Sequence, residues 1–331
     1  MKSYLRAAAC ALPMSLGTVM AQDTAQVASH VNAAKTAAGK DFEGVFARVC
    51  AEARAPASPA PRPAGPPERS SWYAEPVKVF DNLNFVGQSE YSAWAVTTSA
   101  GIIIIDTVFD YSVQAAVAEG LTKLGLDPKQ IKYAIVSHGH GDHSGGAKYL
   151  QDTFGAKIVL SADDWDLLER SNGTKPKRDI VATDGMKLTL GDTTLTLYVT
   201  PGHTLGTLST VIPVKDNGKP HVAVEWGGTA FNWMNNSGRG YITAERPAKF
   251  WFDHYIASSA RFRDIAKRAG ADVLIANHTI FDGSKTKLPM MAKRRPSEPN
   301  PYVIGVDGVQ RYMTVVNECA QAGLARVASG K

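Results

Sequence analysis

Three histidines and one aspartate lie within six consecutive positions of the chain, as His138, His140, Asp142 and His143, with glycines among them. Glycine frees the backbone to bend, so these side chains can converge on one point. Imidazole nitrogens and a carboxylate oxygen are donors that zinc prefers. A purely structural cluster would instead crowd several titratable rings together without a charge partner. The segment therefore predicts a metal site.

Two further histidines occur in a similar context, each just after a predicted strand. His203 lies in the segment Thr-Pro-Gly-His-Thr and His278 in Ala-Asn-His. They bring the number of candidate ligands to six. His221 and His254 match no such motif, and we expect them to be ordinary surface or packing residues.

Short strand-like runs alternate with helical stretches and must position these ligands. Strands predicted over residues 133–137, 193–200 and 272–277 lead directly to the candidate ligands. The other predicted strands cover residues 77–80, 91–98, 102–106, 157–161, 181–183, 187–190, 208–214 and 221–226. Helices are predicted over residues 113–124, 146–154, 162–170, 249–269 and 309–327. Two groups of strands flanked by helices predict a layered α/β sandwich.

The pattern His-x-His-x-Asp-His followed by two distal histidines resembles the metallo-β-lactamase superfamily over about residues 77–283. The resemblance also includes Asp106 and Thr107, in the turn that supports the metal loop in that family. It implies a four-layer αββα sandwich with two zinc ions (Zn2+) at one edge between the sheets. The first zinc would be held by His138, His140 and His203, and the second by Asp142, His143 and His278. The zinc pair would supply a hydroxide nucleophile, which Asp142 would orient as the catalytic residue.

Residues 225–230, Glu-Trp-Gly-Gly-Thr-Ala, depart from several branches of that family. Glyoxalase II and the lactonases place a metal-bridging aspartate in this region, and several β-lactamases place a cysteine ligand there. This chain offers Thr229, which resembles subclass B3 metallo-β-lactamases, where a small hydroxyl residue contacts the substrate carboxylate. Thr229 is thus expected to bind substrate, the alternative being a packing role. Tyr91 and Trp233 are further candidates for the pocket, although such aromatic residues more often lie in the core.

The resemblance implies hydrolysis of a small molecule, with a β-lactam amide as the leading substrate. A di-zinc hydrolase of lactones, esters or another small carbonyl compound is an open alternative, and the missing bridging aspartate counts against a close lactonase relative. A third hypothesis is a non-catalytic metal-binding protein that assembles through its N-terminal region. An intact ligand set disfavours this hypothesis, because inactive relatives are free to lose ligands.

The N-terminal third of the chain divides by composition. Residues 1–21 have a charged start, an apolar middle and a small-residue cleavage site, which predicts a secretory signal and a periplasmic or secreted protein; a buried first helix is the alternative. Residues 22–53 predict a helical extension, and residues 54–70 a proline-rich linker. The hydrolase domain would then cover residues 71–331.

The composition of the chain limits the kinds of molecule that it could bind. The chain has 331 residues, of which 44% are hydrophobic and 20% charged, and a net charge of +5. Beyond the N-terminus no apolar run approaches the length of a membrane span. Basic runs with interleaved aromatic residues are missing as well, which argues against nucleic-acid binding. Removal of residues 1–21 leaves Cys50 and Cys319, which could pair or stay free thiols on two buried helix faces.

Overall fold

The computed structural model describes residues 24–52, 65–235 and 241–329. Within them, two sheets lie face to face, one with strand order β1-β2-β3-β4-β5-β6-β7 and one with order β12-β11-β10-β9-β8. The strands of the first sheet are β1 (Val77–Phe80), β2 (Leu83–Phe85), β3 (Trp94–Thr98), β4 (Gly101–Ile105), β5 (Ile131–Ile135), β6 (Lys157–Ser161) and β7 (Ile180–Ala182). Those of the second are β8 (Met186–Leu190), β9 (Thr193–Val199), β10 (Leu208–Asp216), β11 (Lys219–Glu225) and β12 (Val273–Ile275).

Helices cover the outer faces of both sheets. They are α1 (Ala25–Ala38), α2 (Glu43–Glu52), α3 (Arg69–Trp72), α4 (Glu119–Lys123), α5 (Gly141–Ser144), α6 (Ala147–Phe154), α7 (Ala162–Arg170), α8 (Ala248–Arg268), α9 (Thr279–Asp282), α10 (Ser284–Met291) and α11 (Gly305–Ala328). A π-helical turn (Gln114–Ala118) precedes α4, and 3-10 turns occur at Pro128–Gln130 and Asn232–Asn235. No helix in the described ranges combines the length and apolarity that crossing a membrane would require.

The isoleucines of β4 show why this strand is central. Ile103 and Ile105 point into the core between the sheets, whereas Ile102 and Ile104 point into the core beneath the helices. Strands buried on both faces are expected to be continuously apolar, as β4 is. A third core lies between the second sheet and α2, α8 and α11. These layers confirm the predicted αββα sandwich.

The N-terminal helices belong to the outer layer over the second sheet. On α1, Val27 packs against Ala322 and Ala325 of α11. On α2, Cys50 forms a disulfide with Cys319 of α11, with 4.8 Å between the Cα atoms. Of the two possibilities open for the cysteines, the structure has the disulfide. Residues 1–21 and most of the proline-rich linker lie outside the described residues.

Several elements differ from the prediction for local reasons. The strand predicted over residues 272–277 ends at Ile275, because the next backbone N–H, that of Ala276, donates to the Asp282 carboxylate at 3.0 Å. The strand predicted over residues 91–98 begins only at Trp94. The short strand β2 was not predicted, nor was α10, which contains Pro289.

Candidate metal centre

The carboxyl ends of β4 and β5 define the entry to the ligand segment. Asp106 follows β4 with a positive φ of 60°. Its Oδ1 accepts a hydrogen bond from the backbone N–H of Ser137 at 2.7 Å, and its Oδ2 accepts one from the Ser137 hydroxyl at 2.9 Å. Ser137, the last residue before the ligand segment, is thereby held in place by the turn that follows β4.

Three histidines converge in the first ligand group. Nε2 of His203 lies 3.1 Å from Nε2 of His138 and 3.1 Å from Nδ1 of His140. Nitrogens bound to one tetrahedral zinc at about 2.0–2.1 Å would stand roughly 3.3 Å apart. The spacing and the all-nitrogen donor set therefore fit zinc.

The outward-facing nitrogen of each of these rings has its own partner. Nδ1 of His138 lies 2.9 Å from the Gly227 carbonyl oxygen, and Nδ1 of His203 lies 2.5 Å from that of Ala230. Nε2 of His140 lies 2.6 Å from the hydroxyl of Tyr241. Such contacts fix ring orientation and tautomer, as is usual for metal-binding histidines.

The second ligand group combines a carboxylate with two imidazoles. Oδ2 of Asp142 lies 3.3 Å from Nε2 of His143 and 3.6 Å from Nε2 of His278, and the two histidine nitrogens are 3.2 Å apart. The other nitrogen of His143 faces Oδ2 of Asp106 at 2.8 Å. The structure thus brings all six sequence-predicted ligands into two groups that could each hold a metal ion.

Charge interactions within the centre shift several pKa values. Burial, reinforced by the neighbouring histidines, lowers the pKa of His138 well below its usual value. Burial also lowers the pKa of His278, to about 3, and His143 adds to this shift. At His143 and Asp142 burial opposes ionisation, but their mutual attraction outweighs it, so the pKa of His143 rises to about 10 and that of Asp142 falls well below its usual range. Neutral imidazoles and an ionised carboxylate are the forms that bind metals. His138, His278 and Asp142 are already in these forms, whereas His143 would have to release a proton when a metal ion binds.

Asp164 on α7 joins the two loops that carry the first ligand group, and sequence reasoning did not find it. Its Oδ2 accepts from the Gly139 N–H at 2.9 Å and from the Thr204 hydroxyl at 2.7 Å. Its Oδ1 accepts from the Gly206 N–H at 3.0 Å. Burial raises the pKa of Asp164 to about 6, although these hydrogen bonds act in the opposite direction. In the sequence it looks like any acidic residue in the first turn of a helix.

A cavity of about 170 Å³ opens beside both ligand groups. Tyr91 and Thr229 line it, as the sequence predicted for pocket residues. The Tyr91 ring centroid lies 5.1 Å from that of His278. The Thr229 hydroxyl lies 2.8 Å from that of Tyr312 on α11.

The structure corrects the expectation for Trp233. Its side chain is 1% exposed and is not among the residues that line this cavity. The indole N–H donates to the Gly202 carbonyl at 2.7 Å, and the ring packs edge-on against Phe252 with centroids 4.5 Å apart. Trp233 supports the loop of His203 from the core instead of facing a substrate.

Gly227 and Gly228 explain why no acidic side chain occupies the start of this turn. A Cβ at Gly228 would lie 2.3 Å from Cβ of His203, and one at Gly227 would lie 1.8 Å from the Leu208 carbonyl oxygen. Neither position can take a carboxylate without a shift of the backbone.

Glu225, at the end of β11, is a second residue that sequence reasoning missed. It is 0% exposed, and its carboxylate oxygens have no hydrogen-bond partner among the described residues. Burial raises its pKa well above the usual value, and the nearby charge of Asp106 adds to the shift. The sequence signal was weak, because it is a single acidic residue at the end of an apolar strand.

Comparisons with known proteins agree with this geometry. The family model of the metallo-beta-lactamase superfamily matches residues 86–216. A hydroxyacylglutathione hydrolase of Shewanella pealeana is 30% identical over 137 residues, which are 40% of this chain and 45% of that protein. The chain spans less than half the length of the curated relatives it matches.

Solved structures match over a larger share of the chain. BJP-1, a subclass B3 metallo-β-lactamase of Bradyrhizobium japonicum, is 27% identical with a TM-score of 0.65, over 78% of this chain and 96% of that one. The FEZ-1 metallo-β-lactamase of Legionella gormanii is 24% identical with a TM-score of 0.63, over 72% and 91%, and so supports the fold alone. Residues 86–216 thus match the metallo-β-lactamase superfamily, and the described part of the chain has the fold of the solved metallo-β-lactamases.

Proposed function

We propose that the protein is a di-zinc hydrolase that opens the amide of a β-lactam. The observation that carries the proposal is the pair of ligand groups at one edge of the sandwich, beside a cavity whose wall presents the neutral Thr229. The likeness to BJP-1, described as a subclass B3 metallo-β-lactamase, supports this choice of substrate.

Two zinc ions, when bound, would supply a hydroxide nucleophile at neutral pH and polarise the substrate carbonyl. The chain's own groups prepare the site for this chemistry. The lowered pKa values of His138 and His278 keep their rings neutral. Asp142, ionised at neutral pH, orients the attacking water through its carboxylate.

Thr229 would seat the carboxylate of the β-lactam. Its hydroxyl and that of Tyr312 share a hydrogen bond of 2.8 Å. When Tyr312 donates, the Thr229 proton is available to a substrate in the cavity. The backbone here is held as well, because the Tyr255 hydroxyl donates to the Thr229 carbonyl at 2.8 Å. A neutral donor attracts an anionic substrate, whereas a carboxylate at this place would repel it.

Export to the periplasm or the exterior is part of the proposal. The charged and apolar order of residues 1–21 supports a secretory signal. The Cys50–Cys319 disulfide supports it independently, because disulfides persist in oxidising compartments.

Hydrolysis of a lactone, ester or thioester is the second candidate. The similarity to proteins described as hydroxyacylglutathione hydrolases favours it. Where the lactonases and glyoxalase II carry a metal-bridging aspartate, this chain has the neutral Thr229, which counts against this candidate.

A side-by-side hydrolysis screen of the zinc-loaded protein tests these candidates, with a penicillin, a carbapenem, an acyl-lactone and an acyl-thioester. We expect β-lactam hydrolysis with about two zinc ions per chain, by the ligand count of the two groups. His203→Ala should empty the first group and Asp142→Ala the second. Hydrolysis of lactones with every β-lactam left intact would move the assignment to the second candidate. Zinc binding without hydrolysis of any substrate would favour a non-catalytic metal-binding protein.

A further inference from the structure

The N-terminal helix α2 contributes a residue to the wall of the metal-site cavity. Arg48 lines the cavity together with Tyr91 and His278, and Arg48 is itself exposed to solvent. Its charge acts on His278, where it adds to the larger effects of burial and of His143 in lowering the pKa of that ring. Among the described lining residues, Arg48 is the one that carries a fixed positive charge.

Packing and a covalent bond hold Arg48 in this position. Val45 and Val49 are buried in the core beneath α2, so Arg48 lies on the outer side of the same helix. Two residues further on, Cys50 is joined to Cys319 of α11. α2 also contacts α9, which begins directly after His278. The helix is therefore joined covalently to α11 and packs against the short helix that follows the ligand His278.

Another charged residue of the wall, Glu90, is engaged elsewhere. Its carboxylate forms an ion pair with Lys285 on α10. This pairing reduces the repulsion that Glu90 would exert on an anion in the cavity. Arg48 and Glu90 are thus the two lining residues next to this mouth that carry opposite fixed charges, and Glu90 shares its charge with Lys285.

We propose that Arg48 is a specificity-determining residue whose guanidinium binds a carboxylate of the substrate, so that the N-terminal extension forms part of the substrate site. Guanidinium and carboxylate match in shape and can form two parallel hydrogen bonds. This inference rests on the proposed hydrolysis at the metal centre and narrows the substrate to molecules that carry an anionic group.

Two zinc-binding probes that differ in a carboxylate test the proposal without any turnover. Acetohydroxamic acid and N-hydroxysuccinamic acid share the hydroxamate, and only the second carries a carboxylate. Their affinities for the zinc-loaded protein are measured by isothermal titration calorimetry at low and high salt. In Arg48→Gln we expect the second probe to bind about fivefold more weakly and the first to be unchanged. The difference should shrink at high salt.

Two further variants make the test specific. Arg48→Lys keeps the charge and should retain most of the preference for the carboxylated probe. Lys35→Gln, on the exposed side of α1 and outside the cavity lining, removes one charge of the same sign and should change neither affinity. Zinc content is measured for each protein, so that metal loss is recognised. If Arg48→Gln does not fold, Arg48→Met, which also removes the charge but keeps an apolar stem, takes its place with the same expected result.

An unchanged ratio of the two affinities in Arg48→Gln overturns the proposal, as does an equal loss for both probes. The same shift in Lys35→Gln would also overturn it, since it would show a long-range effect of net charge. The β-lactam screen is a separate measurement. A protein that opens no β-lactam but shows the Arg48-dependent ratio contradicts the proposed function and leaves the role of Arg48 standing.

Discussion

Oδ2 of Asp106 lies 2.8 Å from Nδ1 of His143, and both side chains are fully buried. The carboxylate holds the His143 proton on Nδ1, so that Nε2 faces the second ligand group. In Asp106→Asn, the amide oxygen can still accept from the N–H of Ser137, and the amide nitrogen then faces His143 and favours the opposite tautomer. We expect zinc affinity to fall roughly 10- to 100-fold at the second group and to be kept at the first.

A chelator-competition titration that resolves the two zinc sites measures this effect. Asp152→Asn on α6, where the exposed aspartate pairs with Lys148, is the matched control and should leave both sites unchanged. Equal weakening of both zinc sites in Asp106→Asn would contradict the orienting role.

Asp164→Ala should destabilise the protein even without metal. The change leaves the N–H groups of Gly139 and Gly206 and the hydroxyl of Thr204 without their carboxylate acceptor. Buried donors left unpaired cost about 1–3 kcal/mol each, so we expect a loss of about 3 kcal/mol or more. Urea unfolding of the metal-free protein measures the loss. The neighbouring exposed Asp163, changed to Ala, should cost less than about 1 kcal/mol; similar losses in the two variants would show that Asp164 has no special role.

Glu225→Gln should change how stability depends on pH. The carboxyl of the unfolded chain ionises near pH 4.3, and burial raises the pKa of Glu225 well above that in the folded protein. Above about pH 4.3 the folded state therefore binds more protons than the unfolded state. The free energy of unfolding falls by up to about 1.4 kcal/mol per pH unit until the folded pKa is reached. Glutamine removes this contribution.

Urea unfolding of the metal-free protein at pH 5 and pH 8 checks the sign. The stability of Glu225→Gln relative to the wild type should increase between these two pH values. Glu68→Gln, at an exposed position, should follow the wild type at both. A pH-independent difference between Glu225→Gln and the wild type would mean that Glu225 is already ionised in the folded protein.

Thr229→Val tests the neutral contact to the substrate. The variant keeps the side-chain shape and removes a hydroxyl worth roughly 0.5–1.5 kcal/mol. We expect kcat/KM for a β-lactam to fall by up to about tenfold while zinc content stays the same. Tyr312→Phe removes the partner hydroxyl at 2.8 Å but keeps that of Thr229, so its effect should be smaller. A larger effect in Tyr312→Phe would show that substrate binding depends on the packing of α11 and not on the Thr229 hydroxyl.

Replacing both cysteines by serine tests the link between α2 and α11. Cys50 and Cys319 are buried, and the loss of such a bond typically costs about 2–5 kcal/mol. Guanidinium unfolding of the metal-free double variant measures the loss. The preference for the carboxylated hydroxamate should decrease as well, because α2 is less firmly held. Wild-type stability in the double variant would show that the packing of Val45 and Val49 suffices.

The ligand set could be predicted from sequence because most of its information is local. His138, His140 and His143 lie within six consecutive positions, and the strands that lead to His203 and His278 have clear apolar patterns. The layers of the sandwich followed from the same alternation of strands and helices.

The residues that support the site could not be predicted in this way. Asp164 meets its partners across 25 to 42 positions of sequence, and Arg48 reaches a cavity whose other described walls begin at Glu90. Such contacts depend on how loops and helices pack, and no local periodicity encodes that. Trp233 was placed wrongly because a tryptophan in a polar segment looks exposed until the loop is folded onto Phe252.

The bond between Cys50 and Cys319 also closes the polypeptide into a covalent ring with a sequence separation of 269. The whole proline-rich segment, residues 54–70, lies inside this ring. A protease that cuts the segment once would therefore release nothing under non-reducing conditions, and α2 would remain attached to α11. Two chains would separate on a gel only after reduction, so a nicked protein could keep Arg48 at its cavity.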